Sequence, residues 1–289
     1  MPEGVVFDLG YTPYDGPRSG RGGARWALYR DGLRRVLGLR RKARRKVLPA
    51  LLLAGALLPA VIYVAVGIVA GELDAAAELF GHPEYFDLTG AISLVFIALA
   101  ASELIVPDRV NGTMSLYASR PLTGDDYVLM RAASLATVVF AFVWLPHVFL
   151  YVGRAWTANE GLGSYATGNL DTLWQTALAS AVYLVAYGSV GLLVASLSSR
   201  PSVAAAVFLA VVTISGPTTG SLVDNDIPVA GLGALQHHPG HVKDWIMDSS
   251  THLWIPERAE YEPIVSLIAI GVVAVACGLV VRARSRNAA

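Results

Sequence analysis

Six long apolar runs, at 47–70, 88–107, 127–153, 172–197, 202–216 and 263–281, decide what this chain can become. A helix that crosses a bilayer needs about 20 apolar residues. All but one of the runs reach or approach that length. The exception, 202–216, is closed by Pro201 and Pro217. It is either completed by residues beyond Pro217 or stops partway and hands over to a re-entrant piece, whose backbone would have to be buried in protein or line a watery cavity. With 54% hydrophobic and 15% charged residues, the chain is too apolar for an ordinary soluble domain. The expected fold is an all-α integral membrane protein with six transmembrane helices. The first run is as long as a full span, well beyond the apolar core of a signal peptide, so it is expected to stay in the membrane.

A formal net charge of zero hides a strong segregation. Of 22 Lys and Arg, twelve precede Val47. With the N-terminus inside, the internal segments also take Arg109, Arg120, Arg131, Arg200, Arg282, Arg284 and Arg286, which makes nineteen. The external loops keep only Arg154, Lys243 and Arg258, together with most of the acids. The positive-inside rule then puts both termini in the cytoplasm of a multi-pass plasma (inner) membrane protein. No nucleic-acid partner is expected.

Residues 1–23 are rich in Gly, Pro and charge and are expected to be loosely ordered. From 24 to 46 the pattern becomes that of a basic amphipathic helix. Trp26, Tyr29, Leu33, Val36 and Leu37 share one face, Asp31, Arg34 and Arg35 the other, and Arg30 and Arg40 lie at the borders. Such a helix suits an anionic membrane surface. The six-span unit then occupies 47–283, with an internal loop at 108–126 and an external segment at 217–262 whose Trp245, Ile246, Leu253, Trp254 and Ile255 suit short interfacial helices.

Catalytic signatures are missing. The lysines are Lys42, Lys46 and Lys243, and none completes a phosphate loop. Neither a zinc-protease helix motif nor a nucleophile elbow occurs. The chain is therefore not expected to be an enzyme or to hold a cofactor of its own. His237, His238 and His241 are close enough to suggest a metal, yet Pro239 and Gly240 break helical spacing and no Cys or carboxylate completes a set. A solvated loop is the expectation there. Cys277 is expected to be a small hydrophobe packed in a helix. Ionisable residues inside spans are costly and point to function. Glu103 and Arg131 lie at depths that suit an ion pair between spans two and three, with snorkelling as the alternative for Arg131. His147, beside Pro146, reads as a hydrogen-bonded packing residue.

The polar stretch from Pro107 to Arg131 separates two of these spans. Pro107 is expected to end span two, Asn111 and Gly112 to turn the chain, and 113–119 to form about two helical turns stopped by Pro121. Thr123 or Asp125 would cap span three. Leu116, Tyr117 and Leu122 offer apolar anchors and Arg120 a charged one, the composition of a protein-protein contact.

From Gly112 the chain reads Gly112, Thr113, Met114, Ser115, Leu116, Tyr117, Ala118, Ser119, Arg120, Pro121, Leu122, Thr123 and, four further on, Tyr127. This resembles the loop between spans two and three of type 2 ABC transporter permeases, whose core reads like G-x-L-x-L-x-x-S-R-P-L-x-x-x-x-Y. The turn Leu197, Ser198, Ser199, Arg200 before an alanine-rich fifth span is a second likeness, and Gly124, Asp125, Asp126 are more acidic than that pattern. The resemblance implies a permease that pairs with a second permease subunit, identical or not, above two cytosolic ABC ATPase subunits that carry MgATP. Thr113, Met114, Leu116, Tyr117, Ser119, Arg120, Pro121 and Leu122 would form a coupling helix seated in an ATPase groove. Trp26, Tyr29, Arg30, Leu33 and Arg34 would lie alongside on the interfacial helix. ATP binding would drive a substrate outward, past a gate made by the segment before span six. The nearly uniform apolarity of the spans suits a hydrophobic or amphipathic substrate. Two other readings compete: a receptor or scaffold with no transport of its own, and a membrane enzyme of unrecognised chemistry. An enzyme would place its polar residues inside the spans, not in this turn.

Overall fold

Backbone polar groups that face lipid have no water to bond, so a helix, which satisfies them within itself, is the natural state of each apolar run. The computed structural model describes residues 16, 20–39, 44–70, 81–113, 117, 121–250 and 252–286, and among these there is no strand. The α-helices are α1 (Gly20–Val36), α2 (Arg44–Ala70), α3 (His82–Val110), α4 (Gly124–Thr157), α5 (Leu162–Gly168), α6 (Leu170–Leu197), α7 (Pro201–Asp224), α8 (His238–Met247), α9 (Ile255–Arg258) and α10 (Pro263–Arg286). A 3-10 turn at Pro228–Gly233 links α7 to α8. Six of the helices, α2, α3, α4, α6, α7 and α10, are long and apolar enough to cross a membrane.

Three of the six form the centre. The most apolar windows of α3, α4 and α6 are 67%, 50% and 50% buried, against 17%, 33% and 22% for α2, α7 and α10, which lie around them. Lipid tails are as apolar as leucine, so close contact must come from shape rather than from the hydrophobic effect. Phe96 of α3 and Phe142 of α4 stack with centroids 3.8 Å apart. Gly191 of α6 lies against Ala101 of α3, where an added Cβ would sit 3.1 Å from the alanine methyl. Cys277 is buried in the same core, as a small hydrophobe.

Several boundaries differ from expectation. Pro107 does not end span two: α3 runs on to Val110, with the Asn111 amide donating to the Pro107 carbonyl at 3.0 Å. A proline removes its own donor but leaves its carbonyl, so the helix continues beyond it. Pro217 is likewise internal to α7, which reaches Asp224 and makes span five a complete helix of 24 residues. The linking segment therefore starts near 225 rather than 217. The N-terminal helix covers 20–36 rather than 24–46; Arg40, Arg41 and Lys42 fall outside the described residues, as do 1–15 and 17–19.

The faces of α1 are also rotated from the reading above. Leu28, Gly32 and Val36, at successive helical turns, are its buried residues, and they pack on α4 and α3. Gly32 lies directly on Ser134, where a side chain would collide. Trp26 is 57% exposed and stacks on Tyr29. Asp31 and Arg35, assigned to the outward side, turn toward the bundle, because a buried carboxylate waits there.

Candidate functional site

The turn after α3 is built over one carboxylate. Gly112 adopts φ +62°, a left-handed conformation that costs glycine little. The chain folds back so that Thr113 and Tyr117 cover the end of α3. Beneath them Asp108 is 1% exposed. It accepts from Arg131 Nη2 at 2.7 Å and Nε at 3.1 Å, and from Arg35 Nη1 at 2.7 Å. Three hydroxyls complete its shell: Tyr127 at 3.1 Å, Thr113 at 3.2 Å and Tyr117 at 3.4 Å.

Arg131, fully buried on α4, also places Nη2 3.1 Å from Asp31 and 3.2 Å from the Tyr117 hydroxyl, and donates from Nη1 to the Leu28 carbonyl at 3.4 Å. Two arginines thus face two aspartates, with α1, α3, α4 and the turn each contributing. Buried charge is tolerable when it is paired and hydrogen-bonded in this way. The ion pair expected between Glu103 and Arg131 is not the one formed: the carboxylate that takes Arg131 is Asp108, five residues further along α3. Glu103 is half-buried on the same helix. Snorkelling is also excluded, since Arg131 reaches carboxylates rather than solvent.

A second tier surrounds this joint. Thr123 is the N-cap of α4, in a capping box with Asp126: its hydroxyl accepts the Asp126 amide at 3.2 Å and its own amide donates to Asp126 at 3.0 Å. Arg21 and Arg25 of α1 both pair with Asp126. Asp125 takes Arg282 at 2.8 Å and Arg286 at 3.0 Å from the end of α10. Arg109 and Arg284 both reach the Ser196 carbonyl where α6 ends. Residues of α1, the turn after α3, the end of α6 and the end of α10, from segments that the charge pattern assigns to one side, therefore meet at one end of the bundle.

The expected coupling residues divide. Thr113 and Tyr117 are in the Asp108 shell. The ring of Tyr117 and the side chain of Leu122 pack on Leu28 and Tyr127 of this same chain, so they hold the turn down instead of standing free. Pro121 is exposed. Met114, Leu116, Ser119 and Arg120 lie outside the described residues. On α1, Tyr29 meets the Thr137 hydroxyl at 3.0 Å, Leu33 packs on the core, Arg34 is half-buried and Arg30 is exposed. Asp108, Asp31 and Arg35 are what the sequence reading missed. The available signal was an Asp–Arg pair four apart on α1, facing an Asp beside Pro107 and an Arg a turn into span three.

The other end of the bundle is polar in a different way. Lys243 of α8 is fully buried and donates to both oxygens of Asp87 on α3 at 2.9 Å and to the Pro83 carbonyl at 3.2 Å, with Asp244 at 3.0 Å. His237, His238 and His241 are not in a solvated loop. His238 and His241 are buried at the start of α8, and each places Nδ1 2.9 Å from the Ser266 hydroxyl of α10. His238 Nε2 donates to the Leu232 carbonyl at 3.0 Å, so its Nδ1 accepts the Ser266 proton and His241 must donate to the same oxygen. Burial pushes all three imidazoles below their ordinary value. Among the described residues no three His, Cys, Asp or Glu converge as for a metal ion. His147 is buried, as a packing residue, with its Nδ1 3.2 Å from His82 Nδ1 and its ring stacked on Phe86.

Compared with known proteins, the chain matches no family model and no curated sequence.

Proposed function

We propose that this chain is the membrane-spanning permease subunit of an ATP-driven exporter, and that the turn at 108–126 is where a separate cytosolic ABC ATPase docks. MgATP stays on that partner, and this chain performs no chemistry. The single observation that carries the reading is the Asp108 joint. A docking loop on slack linkers would absorb a motor's movement. Here the turn is bonded to Asp108, which is held by Arg35 of α1 and Arg131 of α4, so displacement of the turn is displacement of three helices at once.

Tyr117 and Leu122 then serve as the inward hooks of the turn, and Met114, Leu116, Ser119, Arg120 and Pro121 remain the residues proposed to contact the ATPase. The nineteen-to-three division of basic residues supports a cytoplasmic placement of this end. Trp26 and Arg30, exposed on α1, lie at the membrane surface beside the docked motor. A second permease subunit completes the assembly, and the apolar spans favour a hydrophobic or amphipathic cargo.

The test is to solubilise the full chain from its own cells under mild conditions and measure magnesium-dependent ATPase that co-purifies. Wild type is expected to carry it. Arg120→Glu should lose most of it with unchanged yield and thermal unfolding. A monodisperse wild type without ATPase, or equal ATPase on Arg120→Glu, overturns the proposal.

A further inference from the structure

An apolar groove opens on the outside of the bundle where α4, α6 and α10 diverge. Its floor is Leu135, Gly188 and Val281, all buried, and its open wall is Gly278, where an added Cβ would meet nothing within 4 Å. The groove encloses about 290 Å³. Along α4 it extends from Val128 to Ala136, about 12 Å at 1.5 Å per residue. A methylene is close in size to a water, whose share of liquid volume is about 30 Å³, so the space suits roughly ten methylenes in a row.

One end of the groove is marked by charge. Val281 is followed at once by Arg282, and Val128 lies three residues after Asp125. Arg282 and Arg286, 49% and 58% exposed, share Asp125, and Arg284 stands on the same turn of helix. Three cations to one carboxylate leave an excess of positive charge at the mouth. A phosphate is the complementary group.

We infer that the groove seats one acyl chain of an anionic phospholipid whose phosphate lies against Arg282 and Arg286. Surrounding lipid tails are equally apolar, so the groove selects by chain shape and the arginines by headgroup charge. The inference does not rest on the ATPase reading; it requires only that the helices stand in a bilayer.

The test uses the full chain in vesicles of equal phosphatidylglycerol and phosphatidylcholine, extracted and examined by native mass spectrometry for retained lipid. Wild type is expected to retain phosphatidylglycerol in preference to phosphatidylcholine. Replacing both Arg282 and Arg286 by Gln should reduce that preference by roughly fivefold for each arginine, the strength of one basic residue at an anionic surface. Gly278→Leu, whose Cβ enters open space and whose side chain takes up part of the groove, should lower retention of both lipids. Gly271→Leu, also open to its surroundings but outside the groove, should behave as wild type and controls for folding. A wild type with no retained lipid or no preference, a second copy of the chain in its place, or undiminished lipid on Gly278→Leu overturns the inference.

Discussion

Each end of the bundle buries a cation completely, and the two solutions differ. At the turn end, Arg131 offers a planar fork of donors: Nε and Nη2 take Asp108, Nη2 also lies against Asp31 and Tyr117, and Nη1 reaches the Leu28 carbonyl. Asp108 brings in Arg35, so charge balances at two against two. At the far end, Lys243 is a point charge between Asp87 and Asp244, one against two, and the neighbouring polar groups are histidines around Ser266. The first cluster depends on arginine, which keeps its proton at any physiological pH. The second includes groups that change charge near neutrality. The turn end is thus a joint of constant charge linking four segments, and the far end is a cap whose strength follows acidity.

The comparison breaks most sharply at Asp108. Asp108→Asn leaves the buried Arg131 and the half-buried Arg35 with only Asp31 between them, and removing one partner of a buried pair typically costs 3–5 kcal/mol. We expect a loss of about 4 kcal/mol in the thermal or denaturant unfolding of the purified chain. Asp108→Leu combined with Arg131→Met should recover much of it, since an apolar pair can replace a buried ion pair at little cost. If the single substitution is near neutral, the turn is held by something else.

Lys243→Met tests the other cation. Asp87 keeps some contact with solvent, at 15% exposure of its side chain, so the uncompensated charge is less severe. The expected loss is about 2 kcal/mol, half that at Asp108. A loss as large as that of Asp108→Asn would erase the distinction between the two ends.

Acidity should separate the ends within one wild-type sample. Folded His238 binds a proton less readily than the unfolded chain does, because burial lowers its pKa. Its contribution is fully present above the unfolded value of about 6.5 and is lost progressively as pH falls below that toward the lower folded value. Between pH 6.5 and 5.5 that amounts to about 1 kcal/mol at most. His241 shifts in the same direction. Hydrogen exchange should quicken in 238–247 as pH falls, after correction for the intrinsic rate, while amides of 124–135 keep their protection. Equal loosening of both regions would show that the far end is not the acid-sensitive one.

Much of this arrangement was legible in one dimension, and the rest failed for identifiable reasons. Every apolar run became a helix, since length and composition are local properties that lipid enforces. Thr123 was readable as a cap because its partner lies three residues away. Asp108 was not readable as a centre: its partners Arg131 and Arg35 lie 23 and 73 residues away, and nothing local distinguishes it from a polar residue at a span's end. The prolines misled in both directions. Pro107 reads in sequence as a stop and Pro217 leaves span five open to two endings, yet each proline keeps its own carbonyl free to continue the ladder and both helices run on. Pro239 was taken to break helical spacing, although proline is favoured in a first turn, which is where it stands in α8. Gly240 there has a packing role: the indole of Trp254 lies against it, leaving no room for a side chain.

The smallest expected effect is at Thr123, and it asks whether the turn end is one unit or two tiers. Thr123→Ala removes the side-chain acceptor for the Asp126 amide but leaves Asp126 paired with Arg21 and Arg25. Loss of an N-cap costs about 0.5–2 kcal/mol, and the surviving ion pairs argue for the lower end, about 0.5 kcal/mol. If the tiers are separable, exchange should quicken only at 124–127, and Arg131 and Tyr127 should keep their bonds to Asp108. If the tiers act as one, the variant should instead loosen α1 as well, because Arg21 and Arg25 would lose a fixed Asp126 to grip. Loosened α1 amides would then extend the constant-charge joint from Asp108 outward to the cap of α4.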